Sequence, residues 1–261
     1  MTLSIAIAGK GGTGKTTLAA LLVRCLKETP IQPILAVDAD PNSNLGEMLG
    51  VEPGQPLADI REQSSTPEGS PPSGMGRARA VEDEIQRAVT EAEGFDLVTM
   101  GRPEGPRCYC YVNTLLRKSL DDLSGNYEAV VLDNEAGMEH LSRRTTNDVD
   151  ILLAVMNPTL PSRRAVERIL AISHELPVRI GRRAVLVNRL APGAAADEID
   201  RQLSELGAQR LADVPQDENV EEAGALGQSV FTLPGQTPAL VAVRSVLKAL
   251  QKPKSKQGDL A

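Results

Sequence analysis

The chain has 261 residues, enough for one α/β domain with a full core, and its formal charge of −7 argues against a general nucleic-acid surface. Aromatic residues make up 2% with no tryptophan, which leaves little for stacking bases, and three cysteines, two of them one residue apart, do not build a disulfide framework. No apolar run reaches the roughly 18 residues of a membrane span, and the N-terminus enters a strand without a basic leader, so a cytoplasmic location is expected.

Leu3-Ser4-Ile5-Ala6-Ile7-Ala8 reads as a buried parallel strand. Gly9-Lys10-Gly11-Gly12-Thr13-Gly14-Lys15-Thr16-Thr17 follows and fits the phosphate-binding pattern G-x-x-x-x-G-K-[ST]. The next residues, through Leu26, are helix formers. Strand, glycine loop and helix N-terminus together make an anion site, because backbone N–H groups converge there and the helix dipole favours negative charge. Gly11, Gly12, Thr13, Gly14, Lys15, Thr16 and Thr17 are the expected nucleotide contacts. Lys15 is assigned to the β- and γ-phosphates and the Thr16 hydroxyl to Mg²⁺. Lys10 is superfluous to the ordinary loop and points to a subclass of nucleotide switch. Cys25, in the apolar helix, is expected in the core.

A second strand over 34–37 leads into Asp38-Ala39-Asp40-Pro41. Acids at the C-terminal edge of a parallel sheet lie where ligands bind in such folds. Asp38 is placed near the metal and Asp40 is taken to orient the attacking water; the alternative is that both cap the turn. Residues 52–79, rich in Pro, Gly and Ser, read as a surface loop or insert, with a helix near 57–63 interrupting it. A helix over 80–92 and a strand over 97–100 precede Cys108-Tyr109-Cys110. After a helix over 111–123, the strand 129–132 ends in Asp133, a Walker B arrangement that holds Mg²⁺ through water. Gly137 then lets the loop approach the γ-phosphate. The pattern leaves the roles of Glu135 and His140 open.

Strands over 151–155, 184–187 and 210–213 alternate with helices over 161–175 and 196–206, and a final helix covers 238–251. Asn188 and Pro215, each ending a strand, are the expected adenine contacts, with Asn157 a third candidate. The whole is a three-layer α/β/α P-loop NTPase with a mostly parallel sheet. Residues 1–251 form a single ATPase domain and 252–261 a flexible tail.

In an extended segment Cys108 and Cys110 face the same side, so two thiolates reach one metal ion. Four ligands then come most simply from the same pair of a second chain across a two-fold axis. Zn²⁺ and Ni²⁺ both fit such a donor set, and two small buried residues or a redox pair are the alternatives.

Lys10-Gly11-Gly12-x-Gly14-Lys15-Thr16, Asp38-x-Asp40-Pro41 and Asp133-x-x-x-Gly137 together resemble the deviant-Walker ATPases, which include MinD, ParA and the nitrogenase iron protein. The resemblance implies a nucleotide-dependent dimer in which Lys10 reaches the partner's phosphates, so that Lys10, Lys15 and Asp40 carry catalysis. The stretches 101–110 and 133–143 look like the CooC family, accessory ATPases of carbon monoxide dehydrogenase. That likeness implies paired cysteines binding metal at the dimer interface and delivery of nickel to a client enzyme; the charge balance and the lack of an amphipathic face near the C-terminal lysines lead us to expect no nucleic-acid or membrane partner. Thr13 and Arg107 depart from that family's usual residues without removing a proposed ligand. A positioning or partition switch like MinD and ParA is the other function class. An electron-donating reductase is a third, which the adjacent cysteines do not match.

Overall fold

A computed structural model describes residues 2–63, 77–101, 122–135, 148–176, 178–190, 196–205, 208 and 210–251. The strands are β1 (Leu3–Gly9), β2 (Ile34–Ala39), β3 (Thr90–Ala92), β4 (Phe95–Thr99), β5 (Ala129–Asn134), β6 (Asp148–Met156), β7 (Arg179–Leu190) and β8 (Arg210–Pro215). They form one sheet in the order β3-β4-β2-β5-β1-β6-β7-β8. Each described neighbour pair is parallel except the β3–β4 hairpin. The helices are α1 (Lys15–Lys27), α2 (Leu45–Leu49), α3 (Leu57–Gln63), α4 (Arg77–Ala88), α5 (Leu160–Glu175), α6 (Ala196–Glu205), α7 (Glu218–Ala225) and α8 (Pro238–Gln251).

Alternation along the strands sorts the core into two halves, because successive side chains leave opposite faces of a strand. Ile5 and Ile7 of β1 join α1, α2 and α8 on one face. Ala6 and Ala8 face the other way, with α3, α4 and α5. A sheet covered on both sides explains why β1, β2 and β5 read as nearly unbroken apolar runs. Three layers result, as the sequence predicts. Cys25 lies in the first core, and burial pushes its thiol up to about 12.

The helix expected over 80–92 is corrected at its C-terminal end. It stops at Ala88, and Thr90–Ala92 becomes an edge strand pairing antiparallel with β4. The helical periodicity did persist past Ala88, but pairing with β4 outweighs local propensity there. α2 and α7, both short, were not anticipated. The expected helix over 111–123 falls mostly, and the tail 252–261 wholly, outside the described residues, as does 64–76 of the proline-rich stretch.

Candidate functional site

The C-terminal edge of the sheet gathers the expected phosphate residues. β1 runs so close to β6 that a Cβ on Gly9 would sit 2.5 Å from the Val155 carbonyl oxygen. The Thr13 amide and hydroxyl both donate to the Lys10 carbonyl, at 3.3 and 2.8 Å, closing residues 10–13 into a turn. Gly14 takes the N-cap of α1 at φ 84°, a left-handed conformation that disfavours side chains. A Cβ there would also meet Asn188 Nδ2 at 2.5 Å. No side chain caps α1, and its first turn carries no acid, so its leading N–H groups are left for an anion. Lys15 begins the helix and is buried, whereas Lys10 stands exposed at the rim of the loop.

Adjacent strands set Asp38 beside Asp133 in register, and Thr99 beside Asp38 on its other side. Both aspartates are fully buried. They differ in what they touch. Asp38 accepts the Asp40 amide at Oδ1 (3.1 Å) and the Leu45 amide at Oδ2 (2.9 Å), so it ties down the loop that follows β2. Burial pushes its carboxyl up to about 6, with the two amides pulling the other way. Asp133 has no hydrogen-bond partner on either oxygen. Burial pushes it up to about 7; the neighbouring Thr16 hydroxyl favours the charged form but is out of hydrogen-bonding geometry with the carboxylate. Asp40 accepts both the amide and the Nδ2 of Asn42 at Oδ1, each at 2.9 Å, and holds a tight turn there.

Buried polar atoms without partners are rare in folded proteins and ask for a ligand, an ion or water. The two bare oxygens of Asp133, beside Thr16 and Asp38 and near the buried Lys15, form a hard oxygen donor set that fits hydrated Mg²⁺.

A cavity of about 440 Å³ opens next to the loop, lined among others by Gly14, Thr17, Asn188, Arg189, Pro215 and Gln216. Its strands end irregularly: the β7–β8 register shifts between Asn188 and Leu190, and Arg189 has φ 54°. Asn188 precedes the bulge and, by strand alternation, shares the α1-side face with Ala184 and Leu186. Asn188 Nδ2 donates to the Thr13 carbonyl at 2.8 Å, which leaves its Oδ1 as the acceptor toward the cavity. Two of the three residues expected at the base therefore line one cavity. Asn157 does not: it lies beyond β6 and takes its amide to Ser162 Oγ at 3.0 Å. Cys108, Cys110, Gly137 and His140 lie outside the described residues.

Two further groups line the cavity: the Asp217 side chain, to which the sequence pattern assigns no role of its own, and Met48. Asp217 had a signal, since a short acid followed by Glu218 and Glu221 marks a helix start. Met48 had none.

This fold and this edge define a nucleotide-binding P-loop protein. The chain belongs to the CobQ/CobB/MinD/ParA nucleotide binding domain family, whose model matches residues 4–230. An uncharacterized ATP-binding protein of Methanocaldococcus jannaschii is 38% identical over 232 residues, spanning 88% of this chain and 91% of that protein. The carbon monoxide dehydrogenase accessory protein CooC of Rhodospirillum rubrum is 29% identical over 248 residues, 88% of this chain and 90% of its own. Among solved structures, the septum site-determining protein MinD of Pyrococcus horikoshii, complexed with Mg-ADP, superposes with a TM-score of 0.70 at 20% identity, covering 97% of each chain.

Proposed function

We propose that this chain is a cytoplasmic ATPase that closes as a homodimer on Mg·ATP and couples ATP binding or hydrolysis to metal delivery, nickel in the first instance, into carbon monoxide dehydrogenase. The observation that carries the reading is the contrast between the two loop lysines. Lys15 is buried at the start of α1, while Lys10 is exposed at the rim, free to serve a second copy's phosphates. The Cys108-x-Cys110 pair and the CooC relative support the metal half of the reading.

In this reading the α1 N-terminus and Lys15 hold the β- and γ-phosphates. Asp40 accepts a hydrogen bond from water and directs its oxygen at the γ-phosphorus. The new P–O bond forms as the bond from the γ-phosphorus to the β–γ bridging oxygen breaks, giving ADP and phosphate. Lys10 of the partner subunit and Lys15 stabilise the charge that develops on the leaving oxygen. Thr16, Asp38 and Asp133 would hold Mg²⁺, which when bound neutralises charge on the β- and γ-oxygens. Loss of the γ-phosphate frees the loop that Asp38 organises, and with it the dimer geometry at the cysteines. Zn²⁺ is the other cargo a four-thiolate site accepts.

Native mass spectrometry with Ni²⁺ and either ADP or ATP reads dimer state and metal count together. One metal per dimer is expected, lost in Cys108→Ser/Cys110→Ser; an unchanged count in that double variant overturns the metal site. Membership of a family that includes MinD and ParA favours one other reading, a positioning or partition switch. ATP-dependent pelleting with liposomes or DNA would select it. No helix among the described residues is long and apolar enough to cross a membrane.

A further inference from the structure

We propose that Asp217 is a positioning residue for the nucleotide base: one buried carboxylate caps two helices and so sets the base-side wall against the phosphate loop. The proposal rests on the reading of the cavity as the base site.

Asp217 follows the wall residues Pro215 and Gln216 and is 6% exposed. Its Oδ1 accepts both the backbone amide and the Nδ2 of Asn219, each at 3.1 Å, which caps α7. Its Oδ2 points the other way and accepts the Ala239 amide at 2.8 Å, in the first turn of α8. Helix α8 needs that acceptor. It begins with Pro238, which has no N–H, so Ala239 carries the first orphan donor. Thr237, which stands where a helix is ordinarily capped from within, instead donates its hydroxyl to the Pro234 carbonyl at 2.6 Å. The cap therefore comes from the cavity wall, across the fold.

The other end of this connection reaches the phosphates. α8 packs on α1, and the Arg244 guanidinium grips the Glu28 carboxylate at 2.7 and 2.9 Å at the end of α1. α1 starts at Lys15 and Thr16. Asp217 and Ala239 line the cavity together. Base wall, α8, α1 and phosphate cradle are thus held in sequence, and Asp217 is the joint next to the base. Without it the cradle keeps its own contacts, including the closed turn at Lys10–Thr13, but the wall loses its reference.

The chemistry asks for a carboxylate. Three N–H donors approach from two directions, and only a carboxylate offers an acceptor to each side. Asparagine would turn an NH₂ group toward one of them. Serine reaches the neighbouring Asn219 amide, as N-caps do, but not Ala239.

Binding of ATP, GTP and inorganic tripolyphosphate to the full chain separates base from phosphate recognition. In Asp217→Ala, Asp217→Asn and Asp217→Ser the Kd for ATP should rise about tenfold or more, with KM rising in parallel and kcat changing less than about twofold. Preference for ATP over GTP should narrow. The Kd for tripolyphosphate should stay within about twofold, which also reports an intact fold. Wild-type ATP affinity in Asp217→Ser would reduce Asp217 to a cap of α7 and overturn the proposal. Equal losses for ATP and tripolyphosphate would overturn it too, since general loosening then explains the variants. Wild-type protein that binds ATP no better than tripolyphosphate overturns the base-site reading itself, and Asp217's role with it.

Discussion

The two ends of the nucleotide site are built differently. The phosphate end comes from contiguous sequence: residues 9–16 fold on themselves, with the Thr13 amide and hydroxyl both bonded to Lys10 three residues back. The proposed base end is assembled from residues far apart in the chain. Asn188 reaches Thr13 across 175 positions, and Asp217 reaches Ala239 across 22. Contiguous contacts cost little loop entropy to close, whereas long-range ones depend on a packed sheet to bring them together. The phosphate end should therefore fail in chemistry when changed, and the base end in selectivity.

The largest effect tests the phosphate end. Lys15→Ala should abolish both ATP binding and turnover, a loss of at least about a hundredfold, read by calorimetry and phosphate release. Lys10→Ala should abolish turnover yet leave ATP binding to the monomer within about threefold. Full turnover in Lys10→Ala would remove the reason for a shared site.

A second test uses the strain stored at Asp133. Its folded value, about 7, stands above its ordinary 3.8 because of burial. Well below pH 3.8 the group is protonated in both folded and unfolded chains and contributes nothing. As pH rises from 4 to 7 the unfolded chain releases the proton first, so folded stability falls, then levels off. The loss is on the order of 4 kcal/mol for a shift of about three units. Nucleotide-free Asp133→Asn should keep only the smaller part of this slope that Asp38, also raised by burial to about 6, contributes. It should melt above wild type at pH 8 and alongside it near pH 4, while losing hydrolysis. An identical melting profile from pH 4 to 8 in the two proteins would show that Asp133 is not a source of strain.

The smallest effect sits at the base end. Asn188→Ala should weaken ATP by about tenfold or less while barely changing GTP, because the acceptor Oδ1 matches an adenine amino group and not a guanine carbonyl. Equal losses for both nucleotides, measured by competition, would assign Asn188 to holding the loop through Thr13 rather than to choosing the base.

Much of the fold was readable from apolar runs and turn residues. β2 and β5 extend the expected 34–37 and 129–132 by two residues each, into Ala39 and Asn134, so Asp38 and Asp133 lie within the sheet rather than just past it. The strand expected over 184–187 runs from Arg179 to Leu190, since its ends alternate in exposure and look like loop. α7 was missed because eight residues are too few for a helical period to stand out. At the site, the glycine loop and both acids were legible as motifs. The orientation of the Asn188 amide was not, because it depends on a carbonyl 175 positions away.

By itself the sequence determined the phosphate loop, the alternation of the main strands and helices, and the family resemblance those motifs carry. These follow from short-range geometry: which residues tolerate a left-handed turn, which runs must be buried, where a helix starts. Only the tertiary structure decided that Asp38 is held by two amides while Asp133 stands bare beside it, and that Asp217 joins two helices at the cavity wall. Those outcomes depend on which strands become neighbours and which helix ends meet, and that is settled by packing across the whole sheet.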